Sequence, residues 1–264
     1  MRKGIKNTVL CIRCSQYFIV YFFIIMTSKI NKCLIINLDS RNDLWVSLLE
    51  FRKNLEENNI KYERISGIDY RNKDFVLNKM ITENRIDLNG SGFRNSKISF
   101  LGEIGCYLSH YKCWEYVVCN KLDNCLIVED GINILRNDFE RLVIDKKYDL
   151  LFVNEEMKMN NNSFVGYGLQ GYIITYKCAE ILLKTCNMLH IPIDLQIRHL
   201  CNSKIISANT IAKPFIQRNH FRLSSIDLDI SETNDLNKKQ NEFSIVQRLL
   251  YNLIAKNINL DDYI

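Results

Sequence analysis

Two carboxylates stand side by side at Glu129–Asp130, where the apolar run Cys125–Val128 gives out, and a third, Asp194, follows a proline in the segment Ile191–Leu195. Adjacent acids leaving a strand offer hard oxygen ligands to a divalent cation, and a cation held there can grip a diphosphate. They read equally as solvated loop charges. An acid fixed beside a substrate hydroxyl can take its proton, which makes Asp194 the candidate general base. Asp194 also suits the N-cap of a helix over Leu195–Cys201, and both roles are compatible. Cys106, His110 and Cys113 share helical spacing and raise a zinc site, but the chain offers no obvious fourth ligand.

These residues need elements to position them. Apolar residues recur at helical spacing through Phe100, Ile104, Leu108, Tyr111, Trp114 and Val118, predicting a helix that ends at Asp123–Asn124. Cys125–Val128 reads as a strand covered on both faces, so Glu129 and Asp130 emerge at its carboxyl end, where open α/β sheets bind ligands. Lys32–Leu38 is a second buried strand, Asp43–Asn58 a helix, and Lys61–Ile65 a third strand. Strand, helix and strand with polar ends open a nucleotide-binding α/β half. Asp39, Arg41 and Asp69 would then gather at one edge, where an arginine pairs with phosphate and an aspartate accepts from ribose hydroxyls. Each taken singly also reads as part of a surface salt link.

Further along, residues 72–97 read as a polar loop over the site. A helix is predicted over 137–146, a strand over Tyr148–Val153, a polar turn over Glu155–Ser163, and a strand within Ser163–Tyr176. A helix over Cys178–Leu189 and a strand over Ile205–Phe215 complete the body. Ser231–Glu242 is a solvated linker by composition, followed by an amphipathic helix over Phe243–Ile258.

The run GEIGCYLSH, followed by Trp114 and LIVED, resembles glycosyltransferase family 25, which includes bacterial lipopolysaccharide sugar transferases and collagen galactosyltransferases. Other elements recur in family order: IINLDSR, ERISGID, the strand at Tyr148–Val153, GYGLQGYIITY, IPIDL and QRNHFRLSSID. The resemblance implies a GT-A-like mixed sheet flanked by helices and a UDP-sugar donor carrying galactose or glucose. It also implies Mn2+ and an inverting transfer to a glycan, a lipopolysaccharide core or a collagen-like protein. It assigns Glu129 and Asp130 to the metal and Asp194 to the base. Asp39, Arg41, Asp69, Glu129 and His110 fall to the nucleotide-sugar, Tyr172 lies near the sugar, and His220 and Ser225 lie toward the diphosphate. Two departures stand out. Leu44 replaces a frequent second arginine, and Gly131 replaces the last acid of a Glu-Asp-Asp triplet. Either two acids suffice, or Asp194 or Asp138 substitutes, or the chain binds nucleotide-sugar or glycan without turning it over.

Composition narrows the alternatives. Residues 1–32 carry six cations and no acid against a whole-chain charge of +5, so the remainder stands at −1 and argues against a nucleic-acid partner. Ten cysteines, mostly within apolar runs, read as free thiols in a reducing compartment, although an even count leaves the secretory lumen open. The expected organisation is a leader over 1–31, a glycosyltransferase domain over 32–230, and the linker with its C-terminal amphipathic helix over 231–264. In the leader, the apolar run Tyr17–Met26 falls short of the roughly 20 residues that span a bilayer. It reads as a signal or weak membrane anchor, or as an extension upstream of a start at Met26. The expected location is cytoplasmic, with membrane association through that leader.

Overall fold

The computed structural model describes residues 27–69, 101–139, 142, 144–145, 147–188 and 191–219. The leader through residue 26, the loop over 72–97, His220, Ser225 and the expected linker and C-terminal helix lie outside the described residues.

The elements run β1 (Thr27–Ser28), β2 (Lys32–Asn37), α1 (Asn42–Ser47), α2 (Leu49–Glu57), β3 (Lys61–Ser66), α3 (Leu101–Cys119) and β4 (Cys125–Glu129). There follow β5 (Ile132–Ile134), β6 (Ile144–Asp145), β7 (Leu150–Phe152), β8 (Lys158–Asn160), β9 (Ser163–Val165) and β10 (Gly171–Ile174). Last come α4 (Tyr176–Thr185), α5 (Ile193–Asn202), β11 (Ala208–Thr210) and β12 (Ile216–Arg218). Six strands form a mixed sheet in the order β11-β7-β10-β4-β2-β3. Strand β2 is parallel to β3 and β4, β11 is parallel to β7, and β10 runs against both its neighbours. The carboxyl ends of β2, β3, β4 and β7 therefore meet the amino end of β10 at one edge.

Strand alternation explains why the central runs are apolar throughout. Leu34, Cys125, Ile127, Phe152 and Tyr172 face α3, α4 and α5, whereas Cys33, Ile35, Leu126, Val128 and Ile173 face α2 and the segments around Phe139 and Phe215. Trp114, fully buried on α3, anchors the first layer. Truncating a side chain of that size in a core costs about 3–5 kcal/mol.

Several expectations need correcting. The helix over Asp43–Asn58 is broken at Leu48. There the Ser47 hydroxyl donates to Leu44 O at 2.7 Å, a local bond that competes with continuous helix. The helix expected over 137–146 is not formed among its described residues. Phe139 stacks on Phe215 at 4.7 Å between centroids, Arg136 forks onto Asp138, and Ile144–Asp145 pairs with Thr27–Ser28. That pairing ties Thr27 and Ser28 to the body of the fold. The turn expected over Glu155–Ser163 contains the hairpin β8–β9, closed by Asn161 and Asn162 at φ +46° and +62°. Two left-handed central residues match the twist of the flanking strands, and asparagine tolerates them. Among the described residues no helix is long and apolar enough to cross a membrane.

Leading from the hairpin into β10, Gly166 has φ +95°, and an added Cβ would lie 2.0 Å from Glu156 O. At Gly131, by contrast, a Cβ would meet nothing within 4 Å. Gly166→Ala is expected to lower unfolding stability by about 1–3 kcal/mol, and Gly131→Ala to leave it within about 0.5 kcal/mol. Urea denaturation of the two variants measures both.

Candidate active site

A cavity of about 370 Å³ opens at the edge where the parallel strands end. Glu129 and Asp130 reach it from β4, Asp194 from the first turn of α5, and Cys106 and His110 from α3. With Glu103 from the first turn of α3, four carboxylates from three parts of the chain thus line one space. Gly102 and Gly105, along the same wall, keep the amino-terminal half of α3 from filling it. Ser109, which donates to Gly105 O at 2.7 Å and accepts from Ile68 N–H at 2.8 Å, ties that helix to the loop after β3.

Glu129 is the last residue of β4, and its N–H donates to Gln170 O at 3.1 Å across to the loop before β10. Its side chain is partly exposed, with Oε1 3.1 Å from His110 Nε2. His110 is buried, and its Nδ1 lies 2.8 Å from the Tyr172 hydroxyl, which accepts from Trp114 Nε1–H at 3.0 Å. Trp114 can only donate, so the Tyr172 proton is free for Nδ1, which leaves Nε2–H to face Glu129. This assignment of the neutral imidazole follows from donor and acceptor inventory. Tyr172, expected at the sugar, is fully buried and outside the cavity wall. It acts behind His110 as a positioning residue.

Asp130 Oδ2 accepts from Asn37 Nδ2 at 2.6 Å. Burial pushes its carboxyl up to about 6, with the neighbouring Glu129 charge adding to the rise, while the Asn37 bond and Arg41 oppose it. Asn37 is itself buried and lines the cavity, and its Oδ1 has no hydrogen-bond partner among the described residues. Two carboxylates beside an unmatched amide oxygen form a hard-oxygen neighbourhood that fits a divalent cation. Gly131 contributes no side chain, although the space beside it would accept one.

Asp194 is not the N-cap expected for its helix. Pro192 holds that position and α5 begins at Ile193. The Asp194 carboxylate instead accepts from Gly168 N–H at 2.7 Å and from Leu195 N–H at 2.8 Å. Both oxygens are located by backbone donors, and each keeps lone-pair capacity for a further partner.

Asp39, Arg41 and Asp69 gather where β2 and β3 end, as their positions implied, but they adjoin the cavity rather than line it. The Ser66 hydroxyl donates to Asp39 at 2.6 Å, and the Ser40 hydroxyl to Asp69 at 3.3 Å. Arg41 forks onto Asp43 with two 3.0 Å bonds, holding that carboxyl below its usual range. The cysteine–histidine set resolves differently from its helical spacing. Cys113 is buried in the core, and Cys106, His110 and Glu129 bring donor atoms within 4.8 Å of one another. Burial holds the Cys106 thiol well above its ordinary range, with Glu129 and Asp194 adding to the effect, so it stands as a thiol. Asp138, a potential substitute acid, is occupied by Arg136 at 2.7 Å and lies outside the cavity wall.

Arg218 was missed. It lines the cavity from β12, which pairs with β5 directly after Gly131, and its N–H donates to Glu156 at 2.6 Å. The pairing of β12 with β5, which sets Arg218 opposite Ile132, brings this residue to the cavity wall. An isolated arginine in a polar stretch carries no local signal of that.

A protein-family model described as Glycosyltransferase family 25 (LPS biosynthesis protein) matches residues 30–162, half of the chain. A human protein named inactive glycosyltransferase 25 family member 3 is 29% identical over 109 residues, covering 33% of this chain and 18% of the human protein. A rat protein named probable inactive glycosyltransferase 25 family member 3 is 31% identical over 81 residues, or 28% of this chain and 14% of that protein. An Anopheles gambiae protein named glycosyltransferase 25 family member is 23% identical over 171 residues, or 55% of this chain and 29% of the relative. The chain spans less than a third of each of these relatives.

Two outcomes follow from the geometry. The Asp130 carboxyl titrates higher in the fold than in an unfolded chain, so its contribution to stability is intact below about pH 4 and lost as pH climbs through about 6. Asp130→Asn, whose amide oxygen still accepts from Asn37, should match the native chain near the acid end. It should gain on it with rising pH, by at most about 3 kcal/mol above pH 7. Urea unfolding across that range checks the sign. Separately, Tyr172→Phe leaves Trp114 N–H and His110 Nδ1 without their shared partner and should cost about 1–3 kcal/mol in the same assay.

Proposed function

The chain belongs to glycosyltransferase family 25, and we propose that it transfers a hexose, galactose or glucose, from a UDP-sugar to a hydroxyl acceptor with inversion. The observation that carries this reading is the convergence of Glu129, Asp130 and Asp194 on one cavity at the carboxyl edge of parallel strands. Its volume, about 370 Å³, lies in the range of small-ligand sites.

In this reading Asp194, located by two backbone donors, takes the proton of the acceptor hydroxyl as its oxygen attacks the anomeric carbon. The bond from that carbon to the diphosphate oxygen breaks on the opposite face, and UDP leaves with the electron pair. Arg218 faces the developing charge from β12, and His110 holds Glu129 in place through Nε2–H. A divalent cation such as Mn2+, held by Glu129 and Asp130, would supply the remaining positive charge against the departing diphosphate. Asp39, Arg41 and Asp69, at the ends of β2 and β3, take the uridine side. A glycan, a lipopolysaccharide core or a collagen-like protein would supply the acceptor, in a cytoplasmic setting.

Gly131 favours a second reading, in which the cavity binds nucleotide-sugar or glycan without turnover. The human and rat relatives carry the word inactive in their names, and the third acid of the triplet is absent here. UDP release from UDP-galactose and UDP-glucose, with and without Mn2+, separates the readings when native chain, Gly131→Asp and Asp194→Asn are run together. The proposal expects native turnover that falls by roughly 10²–10⁴ in Asp194→Asn, with UDP affinity by calorimetry unchanged. Turnover only in Gly131→Asp would establish the second reading. No UDP binding by any form would remove the transferase reading and leave the second only as a glycan-binding pocket.

A further inference from the structure

Tyr167 is 64% exposed, yet it lines the cavity. A lone exposed ring is ordinary on a protein surface. What sets Tyr167 apart is how firmly its backbone is held. Gly166 and Gly168, on either side, both have φ +95°, and an added Cβ on Gly168 would lie 2.3 Å from the Gln170 side chain. Arg198 Nη1 donates to Gly166 O at 2.6 Å, and Gly168 N–H donates to Asp194 at 2.7 Å. Asn154 Nδ2 donates to Gln170 Oε1 at 3.2 Å, bracing the next turn of the same loop. The ring is thus carried on a strap whose peptides are pinned from β7's end and from α5.

The strap also has a direction. At its far end Gln170 O accepts from Glu129 N–H at 3.1 Å, and at its near end Gly168 sits on the Asp194 carboxylate. Tyr167 therefore belongs to the Asp194 side of the cavity, away from the acids placed at the diphosphate. The carboxylate that would take a proton from the acceptor is the same one that anchors the peptide following Tyr167.

We propose that Tyr167 is a platform for a pyranose acceptor, whose C–H face packs on the aromatic ring while one hydroxyl meets Asp194. This rests on the reading of Asp194 as the base and narrows the acceptor to a glycan rather than a bare protein hydroxyl. The chemistry suits it. Pyranose rings present a face of polarised C–H groups to the electron-rich face of an aromatic ring, and tyrosine offers a large rigid contact with few torsions to freeze. Fixing the backbone that carries the ring removes part of the ordering cost of binding a small, weakly bound ligand.

The test uses the full chain as native, Tyr167→Phe and Tyr167→Ala, which the exposure of the residue makes safe for folding, with a thermal melt as control. Binding of methyl β-galactopyranoside, methyl β-glucopyranoside and N-acetyl-hydroxylysine amide is followed by saturation-transfer NMR, with UDP titrated separately by calorimetry. A glycoside should bind the native and Phe forms alike and weaken roughly three- to tenfold in the Ala form, with UDP affinity unchanged. The platform is overturned if no glycoside binds, if Tyr167→Ala binds it as the native chain does, or if only the hydroxylysine amide binds. Glycoside binding that depends on Tyr167 in a chain without UDP affinity would uphold the platform and remove the transferase reading.

Discussion

Holding negative charge where a sheet ends and water is partly excluded is the constraint on which this structure turns. Ionised carboxyls are expensive away from water, and two in succession repel as well. Asp130 shows the cost directly, since burial raises its carboxyl to about 6. The groups around it act to contain that cost. Asn37 spends its amide on Asp130 and on Arg41 O, linking the end of β2 to the end of β4 across their parallel register. Arg41, itself pinned by Asp43 where the chain enters α1, lies close enough to lower the acid.

The helix that covers this edge answers a second demand. Its inner face must pack against the sheet, and its amino-terminal half must leave the cavity open. Tyr107, Trp114 and Val117 fill the core, while Gly102, Gly105 and Cys106 take up little of the space above the strand ends. Between the two stretches stands His110, joined through Tyr172 to Trp114. A partly exposed glutamate is thereby oriented by a run of buried side chains, each with its hydrogen-bonding capacity used. Rigidity at Glu129 comes from the core and reaches the site through one imidazole.

Much of this was legible in the sequence because it follows from repetition. Uninterrupted apolar strands signal cover on both faces, and Lys32–Asn37 and Cys125–Glu129 are covered in that way. Once those strands are parallel, whatever follows them must share an edge, which is why Asp39, Arg41 and Asp69 are expected to gather there. What escaped has no local pattern. Phe139 and Leu142 have helical spacing, but stacking on Phe215 and pairing with the amino-terminal strand override it. The resemblance of GYGLQGYIITY put Tyr172 near the sugar, yet strand alternation turns it inward onto α3. Arg218 and the backbone donors of Asp194 depend on contacts between distant segments, and single-residue chemistry cannot announce those.

Gly131 bears on both readings of the site, and stability argues about it as much as chemistry does. A third acid there would enter open space, so its absence is not a packing requirement. It would, however, add another like charge beside an aspartate already disfavoured by burial and by Glu129. A chain released from the need for acids here would gain stability at neutral pH by losing Asp130 as well, because active-site charge is commonly held at a cost to the fold. Asp130 is buried, braced by Asn37, and lines the same cavity as Asp194. The burial of this acid beside an unmatched amide oxygen is the feature of the fold that supports the proposed cation site.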